Sequence, residues 1–101
     1  YYRLPILIDG LISAAAALLA YKLNPLAADY MFTSHCSAEP GYKTIIEILG
    51  LKPMLNLDMR LGEGSGCAIA FNILEAADKV ITNMATFEEA TIQNDYLIDI
   101  R

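Results

Sequence analysis

Three segments with the pattern of strands, each followed by a segment with the pattern of a helix, constrain the fold of this chain more than any other feature. The first strand, Pro5–Ile8, is a continuous apolar run, which is typical of a strand buried on both faces. The second strand is predicted at Asp29–Thr33 and the third within Met54–Met59. Strands that alternate with helices pair in parallel through right-handed crossovers. We therefore predict an α/β fold with a parallel sheet and about three βα units.

The three predicted helices differ in how their apolar residues are arranged. Leu11–Leu23 is rich in alanine and apolar nearly all round, so we expect it to be buried on more than one side. The second helix begins at Tyr42, from which apolar residues follow at i+3, i+4 and i+7, and Gly50 is placed to end it in a left-handed conformation. The third helix is predicted from about Gly66 to Met84, with its polar residues along one face.

The composition indicates that some partner surface is missing from this chain. Of its 101 residues, 55% are apolar and 19% are charged, against averages of about 45–50% and about 25% for globular proteins. A small domain needs more polar surface than this, so we expect either an oligomer or a larger protein. The net charge of −5 argues against a nucleic-acid partner. It still permits a small phosphorylated substrate, which needs only a few backbone N–H groups.

The apolar helix and the cysteines set further expectations. Leu11–Tyr21 is apolar apart from Ser13, but it is shorter than the roughly 20 residues that cross a bilayer, so we expect a core helix and no membrane partner. No signal peptide is recognisable. Cys36 and Cys67 form no CxxC pair and no ligand cluster with His35. We therefore predict no metal site and no cofactor, and a reducing, cytoplasmic location.

Three loops with small or polar residues follow the three predicted strands. They are the first loop (Asp9–Gly10), the second loop (Ser34–Gly41) and the third loop (Arg60–Gly66). In open parallel sheets, ligands bind beyond the carboxyl ends of the strands. All three loops are expected at that edge, so we predict that the functional site lies among them.

The third loop contains a carboxylate between glycines. Gly62, Gly64 and Gly66 permit positive φ angles and close approach of a ligand, and amides at the start of a helix can hold an anion. The loop matches neither the P-loop nor the dinucleotide pattern. Two interpretations of Glu63 remain open from the pattern. It either contacts a ligand or caps the following helix, where a carboxylate is worth about 0.3–1 kcal/mol. Asp9 and the loop serine Ser37 likewise have structural interpretations as capping or turn residues.

Four motifs in order resemble a known family. They are Pro5–Gly10, Ser34–Gly41, Leu57–Gly66 and Met84–Ala90. Together they closely resemble the C-terminal part of nicotinate-nucleotide–dimethylbenzimidazole phosphoribosyltransferase over roughly residues 4–90. The resemblance implies a three-layer Rossmann-like parallel sheet, of which residues 1–90 form the C-terminal part of the α/β domain, and a homodimer in the complete protein. Residues 91–101 form a tail that we leave unassigned.

The resemblance also implies a function and a set of site residues. Family members are glycosyltransferases that move phosphoribose from nicotinate mononucleotide to dimethylbenzimidazole, giving α-ribazole phosphate and nicotinate for the lower ligand of cobalamin. The glutamate of the family's LGEG motif is the general base, and it corresponds to Glu63 here. The substrate-binding candidates from the three loops are Asp9, Gly10, Ser37, Gly62, Gly64, Ser65 and Gly66.

The resemblance leaves out the first two-thirds or so of the family's length. We therefore expect that these 101 residues alone have little or no transferase activity. An alternative from another functional class is a non-catalytic module that binds a nucleotide or pairs with another chain. A third interpretation is a phosphate-binding α/β enzyme of different chemistry, which would bind other nucleotides equally well and ignore benzimidazole.

Overall fold

The computed structural model describes residues 2–91, which form an α/β arrangement of two strands and three α-helices. A short 3₁₀ helix lies between the first α-helix and the second strand. The elements in chain order are β1 (Ile6–Ile8), α1 (Leu11–Leu23), the 3₁₀ helix (Pro25–Tyr30), β2 (Met31–Thr33), α2 (Tyr42–Leu49) and α3 (Ser65–Asn83). The predicted α/β class is thus confirmed. The tail beyond Thr91 lies outside the described residues.

β1 and β2 pair in parallel, as predicted, with Ile6 opposite Met31 and Ile8 opposite Thr33. Side chains alternate between the two faces of a strand, so these four residues share one face and the core lies against it. Phe32 belongs to the other face and is 39% exposed. The expected burial of the sheet on both faces is therefore not reached within residues 2–91.

The third predicted strand, within Met54–Met59, is reduced to an isolated parallel bridge between His35 and Leu55. The prediction of a full strand there is wrong for a geometric reason. The Met54 amide donates to the Thr33 carbonyl at 3.1 Å, and the next amide, that of Leu55, donates to the Ser34 carbonyl at 3.0 Å. In a regular ladder, successive amides point to opposite sides. Two consecutive donors therefore break the ladder before the bridge. After the bridge, the Ala38 amide donates to the Met59 carbonyl at 3.3 Å instead of to that of Leu57, and Asp58 between them has a φ of +52°.

The second strand begins later than predicted. Asp29 and Tyr30 belong to the 3₁₀ helix, and β2 starts only at Met31. The Asn24 side chain accepts a hydrogen bond from the Leu26 amide at 3.2 Å and so caps this helix. The proline between them has a fixed φ that suits a helix start. The capped 3₁₀ helix therefore includes Asp29 and Tyr30, and the strand is shorter than predicted.

The core is built mainly from α1, α2 and the strands. α1 packs against α2, and both cover the sheet face described above. The bounds of α1 agree with the prediction, and Gly50 ends α2 with a φ of +68°, also as predicted. The fully or nearly buried apolar residues of this core are Ile8, Ala14, Ala17, Met31, Tyr42, Ile46 and Leu49. No helix in residues 2–91 has the length and hydropathy that crossing a membrane requires.

α3 contacts β1 but is buried only near its start. Of its 19 residues, Gly66 and Ala70 alone are buried. Much of its apolar surface is exposed, including Phe71 at 58% and Ile81 at 82%. The start of α3 is therefore fixed to the sheet while the rest of the helix extends away from the core of the described residues.

Candidate active site

A cleft of about 540 Å³ opens at the carboxyl edge of the sheet, where the first and third loops meet. Its lining consists of Asp9, Gly10, Leu11, Ile12, Ser13, Ala16, Glu39, Leu61, Gly62, Glu63 and Gly64. The second loop contributes one residue to it, Glu39. A separate cleft of about 590 Å³ lies at the amino end of β1 and includes none of the predicted site residues. The cleft at the carboxyl edge is therefore the candidate site.

Asp9 is buried, and its carboxylate joins the first loop to the third. The Oδ2 atom accepts a hydrogen bond from the Gly64 amide at 3.0 Å, and the Oδ1 atom accepts one from the Gly66 amide at 2.9 Å. These amides lie at the start of α3, where N–H groups have no partner within the helix. The expectation that Asp9 is a local cap or turn residue is thus replaced by a cap that acts across 55 and 57 residues of sequence.

Glu63 lies at the tip of the third loop with an exposed side chain and a left-handed backbone. Its φ is +55°, between Gly62 at +71° and Gly64 at +78°. The left-handed conformation costs a residue with a Cβ atom about 1–2 kcal/mol. Gly64, and not Glu63, is the N-cap residue of α3, so Glu63 lies one residue before the helix cap, and a favourable effect of its charge on the helix end stays a prediction. The Glu63 carboxylate makes no hydrogen bond or ion pair with any residue in the described range.

His35 is fully buried beneath the start of α3. Its Nδ1 atom lies 3.0 Å from the Ser34 hydroxyl, which donates its hydrogen to the Ile8 carbonyl at 2.8 Å. Since that hydroxyl can then only accept, we assign the ring proton to Nδ1. Nδ1 is 3.7 Å from the Asp9 Oδ1 atom, which is beyond hydrogen-bond distance. A Cβ atom on Gly66 would lie 2.7 Å from the Ser34 hydroxyl and closer still to His35 Nδ1, so only glycine fits there.

Glu39 joins the second loop to the start of α1. Its Oε2 atom accepts hydrogen bonds from the Leu11 amide at 3.2 Å and from the Ser37 hydroxyl at 3.3 Å. α1 has glycine at its N-cap and no capping side chain of its own, so an acceptor from another loop serves its first amides. Glu39 was not among the site residues predicted from the sequence. The signal that could have revealed it is the missing local cap at Gly10.

The buried Tyr42 and the partly buried Cys67 are held in their neutral forms near the site. Burial, and then the neighbouring charges of Cys36, Asp9 and Cys67, raise the pKa of Tyr42 to about 12. Its hydroxyl donates to the His35 carbonyl at 2.6 Å. Burial and then the Asp9 carboxylate raise the pKa of the Cys67 thiol, while the Ser34 hydroxyl acts in the opposite direction. A raised pKa keeps Cys67 a thiol at neutral pH, which disfavours it as a nucleophile.

The structure brings five of the eight predicted site residues to the cleft, namely Asp9, Gly10, Gly62, Glu63 and Gly64. The other three lie beside it. Ser37 contacts Glu39, the Ser65 hydroxyl donates to the Gly62 carbonyl at 2.8 Å, and Gly66 packs on His35. Their assignment as substrate-binding residues stays a prediction. Among residues 2–91, no group of three or more metal-ligating side chains is gathered at one point.

Comparison with known proteins identifies the family of the chain. The model of a phosphoribosyltransferase family matches residues 1–92. A protein of Clostridium perfringens named nicotinate-nucleotide–dimethylbenzimidazole phosphoribosyltransferase is 57% identical over 101 residues, which are 100% of this chain and 28% of that protein. A protein of the same name from Clostridioides difficile is 60% identical over 87 residues, covering 86% of this chain and 25% of its own length.

A solved structure supports the fold as well as the family. The crystal structure of nicotinate-nucleotide–dimethylbenzimidazole phosphoribosyltransferase from Thermus thermophilus superposes with a TM-score of 0.81 at 45% identity. The superposition covers 88% of this chain and 27% of that one. The chain thus spans little more than a quarter of the length of the relatives it matches. With the family model matched over residues 1–92 and the four sequence motifs in order, the chain belongs to the phosphoribosyltransferase family.

Proposed function

We propose that this chain supplies the general base and part of the substrate site of an enzyme that transfers phosphoribose from nicotinate mononucleotide to dimethylbenzimidazole. The observation that carries the proposal is that Glu63 lines the cleft on a left-handed loop and that its carboxylate has no hydrogen-bond or ion-pair partner among residues 2–91. Strained backbone of this kind concentrates at functional sites. The names of the relatives indicate the two substrates.

The charge of the cleft suits such a reaction. Glu39 and Glu63 are acidic residues of its lining, the carboxylate oxygens of Asp9 accept hydrogen bonds from the start of α3, and no Lys or Arg of residues 2–91 lines the cleft. The sugar carbon and the attacking ring both carry positive charge in the transition state. Fixed negative groups aimed at developing positive charge stabilise it. The phosphate of the nucleotide would then depend on backbone amides or on cations from other parts of the protein.

The proposed reaction exchanges one C–N bond for another. The unprotonated ring nitrogen of dimethylbenzimidazole attacks the anomeric carbon of the nucleotide. The bond from that carbon to the pyridine nitrogen breaks, and its electron pair leaves with nicotinate. The proton on the other benzimidazole nitrogen passes to the Glu63 carboxylate, so the product ring is neutral. Attack opposite the leaving group inverts the anomeric centre, which gives an α product from a β nucleotide.

Glu63 is expected to account for only part of the rate. Proton removal by a positioned base contributes about 10²–10⁴-fold. The remainder must come from the alignment of ring and sugar and from the electrostatics of the cleft. The homodimer, the cytoplasmic location and the use of no cofactor stay predictions alongside this proposal.

The test is an assay of α-ribazole phosphate and nicotinate formation by the complete protein that carries this segment. We expect Glu63→Gln to lower kcat by about 10²–10⁴-fold with binding of nicotinate mononucleotide retained. Glu75→Gln, which neutralises an exposed carboxylate within α3, is the matched control and should leave kcat unchanged. Full activity of Glu63→Gln would remove the base assignment. Nucleotide binding without turnover by the wild type would instead favour the non-catalytic nucleotide-binding module.

A further inference from the structure

We propose that Asp9 is a positioning residue for Glu63, acting through the third loop rather than by contact with the substrate. This inference rests on the proposed role of Glu63 as the base. The loop that carries Glu63 has three consecutive left-handed residues, one of which has a Cβ atom. Such a conformation persists only where the surroundings fix it. The Ser65 hydroxyl and amide close the loop locally on the Gly62 carbonyl, and Asp9 is the residue from outside the loop that holds it to the end of β1.

The two hydrogen bonds of Asp9 hold backbone amides that lie one and three residues after Glu63. Gly64 directly follows Glu63, and its amide donates to Oδ2 at 3.0 Å, while the Gly66 amide donates to Oδ1 at 2.9 Å. Each carboxylate oxygen thus holds one amide, and the loop cannot rotate about Gly64 without breaking a bond. A charged acceptor makes such hydrogen bonds stronger than neutral ones. It also favours the positive end of the helix.

The backbone of Asp9 is itself fixed by hydrogen bonds to the start of α1. Its own amide donates to the Ser13 hydroxyl at 3.0 Å, and that hydroxyl donates to the Gly10 carbonyl at 2.9 Å. Beneath it, the buried His35 ring packs against Gly66, where no Cβ atom fits. The two hydrogen bonds from the Gly64 and Gly66 amides to Asp9, which we call the clamp, therefore join the end of β1 to the start of α3 and leave little freedom of movement. Glu63 lines the cleft, and its carboxylate makes no hydrogen bond or ion pair within the part of the chain that the structure describes.

Asparagine at position 9 would weaken the clamp while keeping its shape. One oxygen would still accept a hydrogen bond, but the amide nitrogen would face the second N–H group and could not accept from it. In the complete protein, we expect Asp9→Asn to lower kcat at least tenfold, with the KM for nicotinate mononucleotide within about threefold of wild type. Hydrogen exchange at the Gly64 and Gly66 amides should accelerate, because they lose their acceptor.

A double-mutant cycle separates positioning from other roles. If Asp9 acts only through Glu63, Asp9→Asn should cause little further loss in a Glu63→Gln background. The core substitution Ile46→Val is a control for general destabilisation, and its effect on kcat should be small and the same in both backgrounds. Losses that multiply in the double variant, or a raised KM with an unchanged kcat, would overturn the inference and indicate direct substrate contact. A wild type without transferase activity would overturn the proposed function itself.

Discussion

Glu63 adopts a backbone conformation that glycine would adopt at lower cost, and its side chain makes no hydrogen bond or ion pair with the described residues. The strain is therefore not offset by a bond of that side chain within residues 2–91. We expect Glu63→Gly to raise the free energy of unfolding relative to Glu63→Ala by about 1 kcal/mol. Both variants lack the carboxylate, so the difference isolates the backbone, and both should lose activity. Urea denaturation measures it, and equal stability would mean that the loop is not strained at this residue.

The Tyr42 hydroxyl joins α2 to the backbone of the buried His35 by a hydrogen bond. The folded state favours the neutral form of this tyrosine. Its pKa is raised to about 12 by burial first, whereas a tyrosine in the unfolded chain titrates near 10. Between these values the unfolded state loses its proton first, so stability is present below pH 10 and declines as the pH rises to about 12.

The variant Tyr42→Phe tests this linkage. At neutral pH it removes the hydrogen bond to the His35 carbonyl, so we expect a loss of about 0.5–1.5 kcal/mol. From pH 10 to 12, the stability of the wild type should fall more steeply than that of the variant. Unfolding free energies measured across this range give the comparison. Parallel curves would show that Tyr42 does not titrate differently in the two states.

At the scale of elements, the sequence predicted what depends on periodicity and missed what depends on distant partners. α1 and α2 follow from their apolar patterns and the glycine after α2. The shortened strand at Leu55 could not be read from residue types, because it results from the direction of consecutive amides. The loops of the site were predicted from their position in the chain. The capping of α3 by Asp9 was not, because its partners are more than 50 residues apart.

The start of α3 offers a comparison between two kinds of glycine. Gly66 has no positive φ but packs on His35 and Ser34, whereas Gly50 at the end of α2 has a φ of +68° and open space around the position that a Cβ atom would take, with nothing within 4 Å. We expect Gly50→Ala to lower stability by about 1 kcal/mol through backbone strain alone. Gly66→Ala should lower it by about 1–3 kcal/mol through overpacking.

These two substitutions should also differ in their effect on activity. Displacement of α3 by the new methyl group in Gly66→Ala would move the Asp9 contacts and hence the loop of Glu63, so kcat should fall. Gly50→Ala lies away from the cleft lining and should retain kcat. Equal retention of activity in both variants would show that the packing of His35 on Gly66 does not position the loop.

At the scale of the whole molecule, the exposure of the α3 side chains shows which part of the helix is not buried by residues 2–91. Ala70, Leu74 and Ile81 lie on one face of the helix, since steps of four and seven residues return to the same side. Ala70 is fully buried, Leu74 is half-buried and Ile81 is 82% exposed. Burial thus declines steadily along one apolar face. Because the chain spans 28% of the length of its relative from Clostridium perfringens, we expect other parts of a complete family member to cover the distal end of that face.

The substitution Ile81→Ala distinguishes a covered face from an open one. In the 101-residue chain it should change the free energy of unfolding by no more than about 0.5 kcal/mol, as for an exposed residue. In the complete protein, a covered Ile81 should cost about 2–5 kcal/mol when truncated, because transfer and cavity terms add. Lys79→Ala, an exposed position about 200° around the helix, should have a small effect in both. A small effect of Ile81→Ala in the complete protein would mean that this end of α3 faces solvent there too, and that the site depends on the helix only through its first turn.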